Sequence, residues 1–241
     1  MNKQYPPQTG PYVVKVRSNK STDSWQNFDT ARLQISVGQE YHEGEKFVSL
    51  VAWCKHRFNS VAICANDTLQ RFNLMFEKHI DEAQALKETS ELGRQWIERS
   101  MPIIKGLPNA KIIRWDDWKA KESFKKGRLS TEWLYTNNNE FKGAIDHNIM
   151  EIWKRRKAMR PDVYNISNFD EFFKLSREYL LEETAGFSAM FESEQGIDIY
   201  PGTVLFAVSL FRGRQVEGAP DGLGKGHFSR VDFVKNKNYQ L

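Results

Sequence analysis

Cysteine is scarce in this chain. It has two in 241 residues, Cys54 and Cys64, and both sit in apolar runs, LVAWCKHRF and VAICAND. A pair like this excludes a disulfide-built scaffold and reads as two reduced core residues. Long hydrophobic runs are missing as well: the strongest, near TVLFAVSLF, is less than half of a membrane-crossing helix. MNKQYPPQTG lacks the apolar core of a signal peptide. A cytoplasmic protein with no membrane partner is the expectation. Metal-ligand spacing is absent too. None of His42, His56, His79, His147 and His227 stands at ligand spacing from another His or Cys. No G-x-G-x-x-G follows the first strands, and GLGKGH near residue 225 lacks the spacing of a phosphate loop. No G-x-S-x-G elbow surrounds any serine, which argues against an α/β-hydrolase. No metal and no cofactor are expected. The net charge of +4 is only mildly basic, so the total does not by itself call for nucleic acid.

What is present is a medium-sized chain with 40% hydrophobic and 27% charged residues, enough to bury a substantial core. Read along its length, it alternates. PYVVKVRS and ARLQISVG are strand candidates, EKFVSLVAWCKHRF is helical, and SVAICAND is a short buried strand. DTLQRFNLMFEKH opens a helix, and DEAQALKETSELGRQWIERS is a longer one expected to stop at Pro102. NAKIIRW is the next strand. Polar helices run to about Met159, then come a helix through YLLEE and a strand candidate, TVLFAVSLFR. Strand–helix alternation predicts an α/β fold: one Rossmann-like domain, a parallel sheet flanked by helices. Residues 1–10 read as a loose arm and 212–241 as a Gly-rich mobile tail. Such sheets place ligands at the carboxyl ends of their strands, which directs attention to Ser36-Val37-Gly38-Gln39, Asn66-Asp67 and Trp115-Asp116.

Three features stand out there. Ser36 ends a strand before a glycine, so its hydroxyl can be presented at the sheet edge; a serine that merely ends a strand is the plainer alternative. Asp67 is a good helix N-cap with Gln70 placed to return to it, and Arg71 follows in the first turn near the strand ends. Further on, Phe172, Ser176, Tyr179, Leu180, Glu183, Phe187 and Met190 form one helical stripe facing the core. A glutamate on such a stripe needs a partner. Glu182, its neighbour, reads as solvated. Basic residues gather in KIIRWDDWKAKESFKKGR, with Lys119, Lys125 and Lys126, and in WKRRKAMR, with Arg155 and Arg156. Tryptophans among them raise the prospect of a polyanion partner.

In order and spacing, Ser36 after LQIS, AICANDTLQRFNL, KIIRWDDW, Tyr179 with Glu183 in YLLEE, and Tyr200-Pro201 in IYPG together resemble the cyclodipeptide synthases. The match spans about Arg32 to Phe211. That resemblance implies a fold similar to the catalytic domain of class I tyrosyl- and tryptophanyl-tRNA synthetases. It implies two aminoacyl-tRNAs as substrates and a cyclic dipeptide as product. Ser36 would be the nucleophile that carries an aminoacyl group and then a dipeptidyl group. Tyr179 and Glu183 would hold the substrate amine, and Tyr200 would be a further catalytic side chain. Tyr-Pro and Gln39 point to the branch of the family that lacks Tyr-His and Asn at these places. Gln34 stands where many members have Gly and so bears on the first amino-acid pocket. Gly38, Gln39, Asp67 and Arg71 complete the expected substrate-binding set. The helix after DTLQRF carries Lys87, Arg94 and Arg99 as tRNA-contact candidates, diluted by Glu82, Glu88, Glu91 and Glu98. A monomer is expected. Two rivals stay open: an ATP-using synthetase-like domain, which would need HIGH- and KMSKS-like signatures not found here, and an RNA-binding module without catalysis.

Overall fold

A computed structural model describes residues 6, 8, 10–17, 24–202, 210, 211, 214 and 216–239. Its centre is a sheet of six strands: β1 (Tyr12–Arg17), β2 (Thr30–Ile35), β3 (Ser60–Ala65), β4 (Lys111–Arg114), β5 (Ile197–Tyr200) and β6 (Phe228–Lys235), in the order β1-β6-β5-β2-β3-β4. The five strands from β6 to β4 are parallel, and β1 joins β6 antiparallel at the edge. The α/β class and the helix-flanked sheet match the sequence reading; the wholly parallel sheet is corrected to a mixed one. An antiparallel edge pair needs no crossover helix, so two segments distant in sequence can meet this way.

Helix α1 (Gly44–Lys55), α2 (Arg71–Lys78), α3 (Glu82–Ile104), α4 (Trp115–Lys119), α5 (Glu122–Asn137), α6 (Asn139–Met159) and α7 (Phe169–Ser193) cover the sheet. Burial alternates along β3. Val61 and Ile63 join α1 and Trp96 of α3 in one core, whereas Ala62 and Cys64 join α2 and α4 to α7 in the other. That two-sided burial is why the central strands read as nearly continuous apolar runs. Both cysteines are free and fully buried, and burial pushes both thiols up.

Three further expectations are revised. Helix α3 does not stop at Pro102 but runs on to Ile104. A proline in the last turn forfeits only its own N–H, and Ile104 is buried in the α1-side core. Part of the 212–241 tail is built into the sheet. Residues 228–235 form β6, wedged between β1 and β5, with Val231 fully buried. Two of its glycines serve close packing: a Cβ on Gly222 would lie 2.0 Å from the Ser188 carbonyl, and one on Gly226 would lie 2.5 Å from the Phe191 ring. Within the arm, Gln8 is docked, its side-chain amide exchanging two hydrogen bonds with the backbone of Val14 at 3.0 and 2.7 Å. The strand candidate at 203–212 falls largely outside the described residues. Beside β3, the other neighbour of β2 is the four-residue β5, for which the sequence gives no strand signal.

Candidate active site

Strand order reverses at β2: β3 and β4 build outward on one side, β5 and β6 on the other. A doubly wound sheet opens a crevice at the carboxyl ends of the strands at such a point. Ser36, just past β2, and Tyr200, the last residue of β5, flank that crevice. Ser36 Oγ and Tyr200 Oη are 3.2 Å apart, and Tyr200 Oη is 3.1 Å from Tyr41 Oη. The three hydroxyls form a chain from the strand end to the partly exposed Tyr41. Gly202 allows this placement of Tyr200, since a Cβ there would lie 2.3 Å from the ring. Burial, then the neighbouring Tyr41, drives the Tyr200 phenol well above its ordinary range, so it is a neutral donor at working pH.

The turn after β2 is fixed from below. Ser36 N–H donates to His42 Nδ1 at 2.9 Å, and Trp96 Nε1 donates to the His42 carbonyl at 3.0 Å. His42 is fully buried, and burial pushes its pKa down to about 3, so the ring is neutral and can accept at Nδ1. Gly38 sits at a φ of +86°, a left-handed backbone that favours glycine, and Gln39 N–H closes the turn on the Ser36 carbonyl at 3.2 Å. The Gln39 side chain is exposed. Tyr41, His42 and Trp96 were all absent from the sequence-derived site. His42 was weighed there only as a metal ligand. An aromatic pair five and six residues beyond a strand-end serine is the available signal.

Across the crevice, α7 presents Tyr179 and Glu183 one turn apart. Tyr179 Oη donates to Glu183 Oε1 at 3.4 Å. Both are partly rather than completely buried. Burial raises the Glu183 carboxyl to about 8 despite the opposing hydrogen bond from Tyr179. Burial, then the charge of Glu183, also lifts the Tyr179 phenol well above its usual value. The Glu183 charge acts on Tyr200 as well, so the two halves of the site share one electrostatic environment. Gln70 does not return to its helix cap as the sequence suggested; its Nε2 donates to Tyr179 Oη at 3.3 Å.

Glu182 is corrected outright. It is 6% exposed, not solvated: Arg71 grips both of its oxygens, and Trp115 Nε1 donates to Oε1 at 2.8 Å. Burial works to raise its pKa, but the Arg71 hydrogen bonds and charge, with Lys119 4.0 Å away, outweigh that and hold it low. Arg71 therefore spends its donors on Glu182, Glu82 and the Thr68 carbonyl. Asp67 accepts from Thr68 N–H, Arg114 Nε and Trp115 N–H. The structure brings both residues to the strand ends and commits them to protein partners. Gln34 is buried beneath the crevice, donating to Asp198, which also forms a two-point ion pair with Arg32.

The basic candidates separate into two groups. Arg94 pairs with Glu91 and Glu98, Arg99 with Glu43, Lys125 with Glu122, and Arg156 with Glu77 and the Tyr164 hydroxyl. Lys87, Lys126 and Arg155 are exposed and have no ion pair among the described residues. The tryptophans inside the clusters are not a stacking surface: Trp115, Trp118 and Trp153 are core residues, whereas Trp133, between the clusters, is exposed. No cluster of three metal-ligating side chains occurs among the described residues, and no helix among them is long and apolar enough to cross a membrane.

No protein-family model matches the sequence, and no curated protein matches it significantly. Solved structures do match. A cyclodipeptide synthase (CDPS) from Fluoribacter dumoffii superposes with a TM-score of 0.80 at 24% identity, over 93% of this chain and 99% of that one. A cyclodipeptide synthase from Candidatus Glomeribacter gigasporarum, solved bound to Phe-tRNAPhe, gives 0.66 at 17%, over 88% and 90%. A Mycobacterium tuberculosis protein, whose structure relates cyclodipeptide synthetases to type I tRNA synthetases, gives 0.68 at 11%, over 95% of each chain. At these identities the likeness establishes the fold, over nearly the full length of each partner.

Proposed function

We propose that this chain is a cyclodipeptide synthase of the branch marked by Tyr-Pro at 200–201, taking two aminoacyl-tRNAs to a cyclic dipeptide. The observation that carries the reading is the meeting of Ser36 and Tyr200 across the β2–β5 crevice, with Glu183 and Tyr179 acting on the same space.

An aminoacyl-tRNA is already an activated ester. Ser36 Oγ attacks its carbonyl carbon, the ribose C–O bond breaks, and the departing ribose oxygen takes the serine proton. Tyr200, neutral and 3.2 Å from Oγ, is placed to pass that proton and to donate to the developing oxyanion. The aminoacyl group stays on Ser36. Its amine enters as an ammonium, whose charge lowers the Glu183 carboxyl and sends its proton to solvent, so that the carboxylate binds the ammonium and then takes a proton from it. A carboxyl near 8 matches an amine that must lose a proton close to neutral pH. The freed amine attacks the carbonyl of the second aminoacyl-tRNA, releasing tRNA and leaving a dipeptide on Ser36. The dipeptide's own amine then attacks the serine ester, closes the ring and regenerates Ser36. Energy comes from the two ester bonds, so ATP has no role. Exposed Lys126, Arg155 and Lys87 are the first candidates for phosphate contacts.

The deciding assay supplies mixed aminoacyl-tRNA freed of synthetase and ATP and reads small products by mass spectrometry. Cyclic dipeptides should appear with enzyme and not with Ser36→Ala. No product from any aminoacyl-tRNA, or a strict need for ATP, would overturn the reading and favour an RNA-binding or ATP-using protein.

A further inference from the structure

Tyr179 can help Glu183 only if its single hydroxyl hydrogen points at the carboxylate. A phenol oxygen accepts as well as donates, so something must settle the direction. The tyrosine ring itself is held by Phe72 of α2, edge-on at 6.5 Å between centroids. Only the hydrogen's direction remains free. Gln70 Nε2 donates into Tyr179 Oη at 3.3 Å, which occupies the oxygen's acceptor side facing α2 and turns its hydrogen toward Glu183. Gln70 is itself oriented: Asn73 Nδ2, one turn later, donates to Gln70 Oε1 at 2.8 Å, so the amide must present its NH2 to the tyrosine. Asn73, Gln70, Tyr179 and Glu183 thus form a run in which each member donates to the next, ending on a Glu183 oxygen that accepts.

We infer that Gln70 is a positioning residue that sets the polarity of the Tyr179–Glu183 hydrogen bond and so shifts Glu183 toward its carboxylate form. The inference rests on the proposed function only for its purpose, which is to hold an amine-binding anion; the hydrogen-bond direction stands apart from it. Among the described residues, Tyr179 from the same helix and Tyr200 from β5 are the titratable groups coupled to Glu183. Arg156 of α6 adds its charge at Tyr179.

The test labels glutamate carboxyl carbons with 13C, assigns Glu183 by its loss in Glu183→Gln, and follows its titration. Gln70→Met keeps length and removes the donor. It should raise the apparent pKa of Glu183 by about half a unit or more, roughly a threefold change in proton affinity. In a Tyr179→Phe background the same substitution should move it little, because Gln70 acts through the hydroxyl. Equal shifts in both backgrounds, or none in either, would overturn the inference. Gln70→Glu, which has the same shape but cannot donate, replaces Gln70→Met if that variant fails to fold. Its effect is read as the same difference between backgrounds. In the cyclic-dipeptide assay Gln70→Met should lose about tenfold in kcat/KM, the equivalent of one hydrogen bond to a charged group. If the wild type makes no cyclic dipeptide, the proposed function fails while the titration still decides the role of Gln70.

Discussion

Glu182 and Glu183 are adjacent in sequence and opposite in duty, and Glu182→Gln exposes the difference. In the wild type Arg71 is about 5% exposed at its side chain and faces Glu182 with two hydrogen bonds, while Trp115 donates to the same carboxylate. The amide keeps the shape but turns one acceptor into a donor aimed at a guanidinium, and it removes the charge. Breaking a buried pair by neutralising one partner costs about 3–5 kcal/mol. Glu82, 2.9 Å from Arg71 Nε, remains as a partial partner, which places the loss near the lower end. For a chain of this size each kcal/mol lowers Tm by about 2–4 °C, so a fall of about 6–12 °C is expected. Thermal unfolding followed by circular dichroism measures the fall, and urea unfolding with an unchanged slope measures the free energy behind it. The loss should also depend on pH. Glu182 titrates lower in the folded than in the unfolded chain, so its contribution is complete above the ordinary carboxylate range. It disappears as pH falls through the depressed value. The gap between wild type and Glu182→Gln should therefore be widest near neutrality and close in acid. The double replacement Arg71→Met with Glu182→Leu should recover most of the stability, since an apolar pair leaves no charge stranded. A Glu182→Gln protein melting within about 2 °C of wild type at neutral pH would refute the reasoning.

Glu183→Gln should behave in the opposite way. Its folded pKa of about 8 lies above the unfolded value, so wild-type stability falls as pH rises from the ordinary carboxylate range through 8, and the variant should overtake it at the alkaline end of a melting series. The same variant should lose about 10- to 150-fold in kcat/KM, the worth of a hydrogen bond between charged groups. On acid quenching, label from a radiolabelled aminoacyl-tRNA should stay on wild-type protein and be absent from Ser36→Ala; equal retention would remove Ser36 as the nucleophile. Charge reversal at Lys126 and Arg155 together should weaken binding to every tRNA alike and flatten its salt dependence, each lost phosphate contact reducing the slope by about 0.7–0.9. Reversal at Arg94, already paired with two glutamates, should do much less.

The parts of this molecule that repeat at a fixed period were readable in advance. The alternating strands β2 and β3, the helices between them and the stripe on α7 follow from where apolar residues recur, and the crevice follows from the α/β order. What escaped depended on contacts between distant segments. The burial of Glu182 is decided by Arg71 and Trp115, residues 111 and 67 positions away, which no local pattern announces. Its face of α7 packs against α2 and α4 rather than water, so a helix wheel that assumes one buried stripe misjudges a helix buried on most sides. Strand β5 is four residues long, too short for a periodic signal. The glycines at 222 and 226 read as freedom in sequence and turn out to be places where backbone meets a side chain or a carbonyl at contact distance.

The position of β6 bears on how the chain reaches this state. Residue 12 pairs with residue 235, and β6 must be seated against β5 before β1 has anywhere to go. Pairing across such a separation closes a very long loop before any contact rewards it, which slows folding. On a ribosome, β1 is made before every other strand of the sheet and roughly 210 residues ahead of β6, so β1 waits through that interval with its edge groups unpaired. An unpaired strand of that kind invites pairing with another chain. A nascent chain halted before residue 228 could already hold Ser36, Tyr179, Glu183 and Tyr200, yet would leave the open edge of β5 beside Tyr200 and an orphan β1. Loss of the last strand should thus appear first as aggregation, and only secondarily as a fault in chemistry.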